Sequence, residues 1–186
     1  MNLSIALLPG DGIGPEVLLQ AVKVLNAIAE KYGHSFTYEE ASIGAIAIAE
    51  SGEPLPQKTL DLCKSSDAIL FGAIGDPKYD NDPNARIRPE QGLLKLRKEL
   101  GLFANLRPLV TYDTLVQQSP LKPEVIQGID FIIYRELTGG IYFGEKTLNK
   151  EGDKATDLCT YSQEEIDRIA HLAFKAARQR KKKLTL

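Results

Sequence analysis

The chain has 186 residues, a formal net charge of −2, 43% hydrophobic and 26% charged residues, which is the composition of an ordinary globular protein able to bury one substantial core or two small ones. No apolar run approaches the roughly 20 residues that a membrane-spanning helix needs, and the near-neutral charge gives no reason to expect nucleic acid as a partner. Two cysteines, Cys63 and Cys159, fit a reducing compartment and suggest no zinc cluster. The opening MNLSIALLPGDG lacks a basic n-region and a small-residue cleavage site, so it reads as a first strand and points to the cytoplasm.

Strand and helix signals alternate along the chain. Residues 3–8 form an apolar strand, and Pro15 suits the first turn of a helix running to about Tyr32. Residues 34–41 read as a strand, residues 60–64 as part of a short helix, and Ala68–Ala73 as a further apolar strand. An amphipathic helix follows over residues 90–100 and stops at Gly101. This order predicts an α/β fold with a parallel or mixed sheet and right-handed crossovers. Residues 128–133 (GIDFII) form a short apolar run that reads as a buried strand. Between residues 144 and 161 the periodicity breaks down into polar residues with scattered Leu148, Leu158 and Tyr161. Ser162 and Glu165 then make a capping box for a last helix, in which Ile166, Ile169, Ala170, Ala173, Phe174 and Ala177 predict one buried stripe. The basic cluster 178–183 closes that helix and complements its dipole.

Several segments carry side chains suited to chemistry. Gly10, Gly12 and Gly14 sit between a strand and a helix, but Pro15 occupies the place of the last glycine of G-x-G-x-x-G, which leaves a sharp turn rather than a Rossmann fingerprint. The stretch 75–88 is rich in Pro, Asp and Asn and reads as a flexible loop. Its Asp76/Asp80 pair, like Asp153/Asp157 further on, has a D-x-x-x-D spacing, but Pro77 and the loop setting argue against a metal site. At about 100° per residue, Glu90, Leu94 and Arg97 share one helical face with Leu93 beside them. That stripe is either a core leucine pair bordered by surface charges or a surface that meets a ligand. Arg107 stands in an extended segment before Pro108. Residues 134–144 (YRELTGGIYFG) bring Arg135 and Tyr142 to a tight bend where Gly139 and Gly140 can take positive φ and admit a ligand. Arg135 can grip a carboxylate in bidentate fashion and Tyr142 can donate a proton, although such a pair also serves as a plain structural hydrogen bond.

Five segments, LPGDGIGPE (8–16), FGAIG (71–75), RPEQGLLKLR (88–97), FANLRP (103–108) and RELTGGIYFG (135–144), occur in an order that resembles the decarboxylating β-hydroxyacid dehydrogenases, the isocitrate/isopropylmalate dehydrogenase family. The likeness is greatest to the isopropylmalate-oxidising branch of leucine biosynthesis. It implies two domains: residues 1–104 as the first part of the cofactor-side domain, and residues 105–186 as the first part of the dimerisation and substrate domain. A β-arm at about 144–161 would pair with the same arm of a second subunit. Arg97, Arg107 and Arg135 would surround a malate-type dicarboxylate, Leu93 and Leu94 would receive its isopropyl group, and Tyr142 would be the catalytic proton donor. NAD would lie near Ile13, Gly75, Asp76, Pro77, Lys78, Arg88 and Glu90.

The resemblance also implies Mg2+ or Mn2+, whose ligands, with a catalytic lysine, are expected outside this chain. Family members are considerably longer, so the chain is expected to be a truncated form that also exposes unpaired sheet edges, and to be inactive alone. Sister enzymes for isocitrate, homoisocitrate or tartrate, a non-catalytic subunit, and a remnant of the fold are the competing readings. The apolar Leu93/Leu94 pair favours an alkyl branch over a third carboxylate, and retention of Arg97, Arg107, Arg135 and Tyr142 argues for catalysis.

Overall fold

A computed structural model describes residues 1–80, 82 and 85–186. The chain forms two compact units, Met1–Leu100 and Gly101–Leu186.

The first unit is built around β1 (Asn2–Gly10), the middle strand of a parallel sheet ordered β2-β1-β3 with β2 (Ser35–Glu40) and β3 (Ala68–Ala73). Register is set by pairs such as Leu3 with Phe36 and Ile5 with Ala68. Helix α1 (Gly14–Tyr32) joins β1 to β2, while α2 (Ala45–Ser51) and α3 (Gln57–Ser65) lead back to β3. The short α4 (Pro77–Asp80) and then α5 (Pro89–Glu99) complete the unit.

The period of two along β1 sorts its side chains between two cores. Ile5 and Leu7 pack with Leu18 of α1. Ala6 and Leu8 face the other way, into a cluster with Ile43, Leu55, Leu60, Cys63 and Leu96. Each fully buried large side chain there, Leu8, Ile43 and Leu55, contributes about 1.5–3 kcal/mol of transfer free energy. The same burial pushes the Cys63 thiol above its ordinary pKa by desolvation.

The second unit pairs β4 (Ala104–Val110) antiparallel with β5 (Asp130–Glu136). A 3-10 turn (Asp113–Gln118) and α6 (Pro123–Ile126) connect them. After β5 come a 3-10 turn (Gly140–Tyr142), the antiparallel strands β6 (Lys146–Leu148) and β7 (Ala155–Asp157), and α7 (Gln163–Gln179), which packs on β5.

Two expectations are corrected here. The run 128–133 is not a buried strand: β5 starts at Asp130 and alternates, with Phe131 and Ile133 exposed. Its neighbour is one antiparallel strand and its helix lies on one face, so period two replaces continuous burial. The apolar stripe of α7 is amphipathic but not buried, since Ile166 and Phe174 are 54% and 59% exposed. A sheet of two strands is too narrow to cover that face. Within the segment 144–161, where a β-arm is expected, β6 and β7 form a hairpin. Asn149 Oδ1 closes its turn by accepting from the amides of Asp153 (3.1 Å) and Lys154 (3.0 Å), and Lys146 pairs with Asp157 at 2.6 Å. Strands of three residues are too short to show alternation in sequence. The Ser162–Glu165 capping box forms as expected, with Ser162 N–H donating to Glu165 Oε2 at 2.7 Å.

Candidate functional site

The antiparallel register decides what β4 and β5 present together. Asn105 lies opposite Arg135, and Arg107 opposite Ile133. Opposed residues share a face, as do residues two apart on a strand, so Arg107, Asn105 and Arg135 project from one side of the sheet. On that side Arg107 Nε donates to Asn105 Oδ1 at 2.9 Å. Arg135 donates through an Nη to the Tyr142 hydroxyl, and its guanidinium lies 5.1 Å from the centre of the Tyr142 ring. The 3-10 turn after β5 folds Tyr142 back toward its own strand. The result is a cationic surface with a phenol attached, suited to holding a small anion and donating a proton to it.

The bend that carries Tyr142 differs from expectation in one respect. Gly140 has φ +68°, but Gly139 is extended at φ −121°. Neither gives its space to a ligand. A Cβ at Gly139 would run into the Glu165 carboxylate, and one at Gly140 into the Tyr161 ring. The amide of Gly140 also donates to the carbonyl of Thr160 at 3.0 Å. These glycines let the Tyr142 turn seat against residues 158–165.

Behind the strand, on the opposite face from Arg135, Glu136 is locked in place. Its side chain is 7% exposed and accepts from Arg168 Nε at 3.0 Å, Arg168 Nη2 at 2.8 Å, Thr138 N at 2.8 Å and Thr138 Oγ1 at 2.7 Å. Arg168 also donates to the Thr138 hydroxyl and lies 4.6 Å from the Phe103 ring centre. Burial pushes the Glu136 carboxyl up, but the hydrogen bonds from Arg168 and Thr138 outweigh it and hold the group below the ordinary carboxylate value. Arg168 rises in turn, first because of its hydrogen bond to Glu136.

In the first unit, α5 turns Pro89, Gly92 and Leu96 into the interior. Leu96 and Leu100, rather than Leu93 and Leu94, join the core cluster. Leu93, Leu94 and Arg97 are half-buried and Glu90 is exposed, so the leucine pair is not the core pair that one reading of the stripe required. Gly75 and Glu90 lie side by side, since a Cβ on Gly75 would come within 3.4 Å of Glu90 Oε1. Arg88 holds the preceding loop through its guanidinium, which donates to the carbonyls of Tyr79 (3.0 Å) and Asp82 (3.2 Å). Residues 81, 83 and 84 of the 75–88 stretch lie outside the described residues. The stretch is not all loop: Pro77 opens the single helical turn of α4, and Asp76 Oδ1 accepts from Lys78 N at 2.9 Å.

A groove of about 380 Å³ lies beside that turn, lined by Gly10, Gly12, Ala45, Ile46, Asp76 and Lys78 among others. A glycine turn, a lysine and an aliphatic wall form a lining that fits part of a nucleotide. Ile13, at the start of α1, is 59% exposed. Among the described residues no three His, Cys, Asp or Glu side chains gather to hold a metal. Asp153 accepts from Asn149 Nδ2 at 2.6 Å, and Asp157 pairs with Lys146.

Besides Glu136 and Arg168, two organising residues escaped the sequence reading. Asp11 is 7% exposed, and its carboxylate accepts from the amides of Ala45 (2.9 Å), Ile46 (3.1 Å) and Gly75 (3.1 Å), tying the glycine turn to α2 and to the end of β3. A lone acid between two glycines was the signal available. Asn105 shows itself only through the pairing register.

Fold and site together define an α/β protein whose second unit carries a cationic arginine–tyrosine face. The sequence model of the isocitrate/isopropylmalate dehydrogenase family matches residues 4–186, and the chain belongs to that family. It is 55% identical over 186 residues to a 3-isopropylmalate dehydrogenase of Bacillus caldotenax, covering 99% of this chain and 50% of the relative. It is 53% identical to one from Bacteroides fragilis, covering 100% of this chain and 52% of the relative. Among solved structures, isocitrate dehydrogenase from Methylococcus capsulatus superposes with TM-score 0.73 at 27% identity over 95% of this chain and 48% of that one. A beta-decarboxylating dehydrogenase from Thermococcus kodakarensis gives TM-score 0.65 at 34% identity over 95% and 46%. The chain spans about half the length of the curated relatives it matches.

Proposed function

We propose that this chain provides the anion-binding and proton-donating elements of an NAD-dependent 3-isopropylmalate dehydrogenase of leucine biosynthesis. The observation that supports it most is the shared sheet face of Arg107 and Arg135 with Tyr142 hydrogen-bonded to Arg135. Arg107 and Arg135, with Arg97, hold the two carboxylates of a malate-type substrate, because fixed guanidinium groups match a small dianion in charge and geometry. Leu93 and Leu94, half-buried and outside the core, receive the alkyl branch. That apolar pair disfavours isocitrate, homoisocitrate and tartrate as substrates.

When bound, NAD would supply the hydride acceptor and a divalent metal, Mg2+ or Mn2+, would supply charge stabilisation at the substrate's oxygen. Tyr142 protonates the carbon left after loss of the β-carboxylate, its hydroxyl oriented by the Arg135 hydrogen bond. Ile13, Gly75, Asp76, Pro77, Lys78, Arg88 and Glu90 border the cofactor, and Arg88 braces the loop. The metal ligands and the lysine come from outside residues 1–186, which alone turn over no substrate. Assembly is a homodimer joined through the β6–β7 arm, and the enzyme works in the cytoplasm.

The test is NADH production by the full-length protein from isopropylmalate, malate and isocitrate in parallel with a divalent metal. Preference for isopropylmalate is expected. Equal or greater turnover of isocitrate would overturn the substrate assignment, and absence of turnover with every hydroxydiacid would overturn the catalytic one.

A further inference from the structure

Asn105 stands at the centre of the cationic face, directly opposite Arg135 and two residues before Arg107. Its side-chain oxygen takes the Nε–H of Arg107 at 2.9 Å. A guanidinium can receive a carboxylate side-on, through Nε and one Nη, or end-on, through both Nη groups. With Nε committed to Asn105, the side-on edge of Arg107 is closed and the end-on fork remains. Asparagine is suited to this task because it is neutral. It accepts from the arginine without cancelling its charge, and its amide nitrogen keeps two donors on the face that meets the anion. An aspartate there would make the stronger partner for Arg107 but would place a negative charge where a dianion has to bind.

We propose that Asn105 is a positioning residue that presents Arg107 end-on to a substrate carboxylate and keeps the face free of competing negative charge. The inference rests on the isopropylmalate reading above.

The experiment uses full-length protein and steady-state kinetics with isopropylmalate for Asn105→Ala and Asn105→Asp, each checked by calorimetric titration of isopropylmalate. Loss of the Nε brace in N105A is expected to raise KM about tenfold with kcat within about twofold, the size of one charge-assisted hydrogen bond. N105D keeps an acceptor for Nε, so a purely structural bond would be rescued by it. Here it is expected to be the worse variant, with KM raised on the order of a hundredfold, from loss of charge matching. Wild-type KM in N105D, or a loss confined to kcat in N105A, would overturn the proposal. If N105A does not fold, Asn105→Ser is read by the same criteria. Failure of the underlying reading is separable, because it appears as wild-type protein that neither binds nor oxidises isopropylmalate.

Discussion

Replacing Arg168 by Met tests whether the Glu136 lock holds the end of β5. The substitution keeps most of the apolar stem but removes both bonds to Glu136 and the bond to Thr138. Glu136 then keeps only the amide and hydroxyl of Thr138, at 2.8 and 2.7 Å, while remaining in a site where its side chain is 7% exposed. Removing one partner of a fully buried ion pair costs about 3–5 kcal/mol. The Arg168 side chain is 29% exposed, so water relieves part of that loss, and the expected cost is ~2–4 kcal/mol.

Urea unfolding at pH 7, followed by circular dichroism, measures it for R168M, E136Q and the double variant. In the E136Q background no buried charge is stranded, so the coupling energy of the cycle should be about 2 kcal/mol. The pH dependence has a defined sign. Glu136 is depressed in the folded state, so its contribution is complete above the unfolded carboxyl value of roughly 4.3 and disappears as pH falls through the lower folded value. The gap between wild type and R168M should therefore close in acid. A cost below ~0.5 kcal/mol at pH 7, or a coupling energy near zero, would refute the lock.

Three further outcomes are expected. Tyr142→Phe in the full-length enzyme should lower kcat by ~10²–10⁴ while isopropylmalate still binds by calorimetry; unchanged turnover would move proton donation to another group. Shortening Leu93 and Leu94 to Ala should lower kcat/KM for isopropylmalate much more than for malate, at ~1–3 kcal/mol per methylene of apolar contact, and equal losses would mean the leucines only pack. With a thiol reagent at mildly alkaline pH under native conditions, exposed Cys159 should react promptly and Cys63 only on unfolding, because burial both shields Cys63 and raises its pKa. Equal rates for the two would contradict the packing of α3 on the sheet.

Local signals settled much of the first unit. β1, α1 and β3 are legible because long apolar runs, a proline in the first turn and a glycine after the last one act within a few residues. The same holds for the capping box of α7 and for the identity of Arg107, Arg135 and Tyr142 as chemically capable side chains. Sequence alone could not say which leucines of α5 are core, since Leu93, Leu94 and Leu96 are equally apolar and only packing on β1 and α3 singles out Leu96. Nor could it show that Asn105 braces Arg107 opposite Arg135, because a one-residue slip in the β4–β5 register would send those side chains to the other face. Asp11 and Glu136 make the same point. A carboxylate between two glycines and one at a strand end look solvated in sequence, and it is the long-range approach of α2, Gly75 and α7 that buries them and supplies their donors.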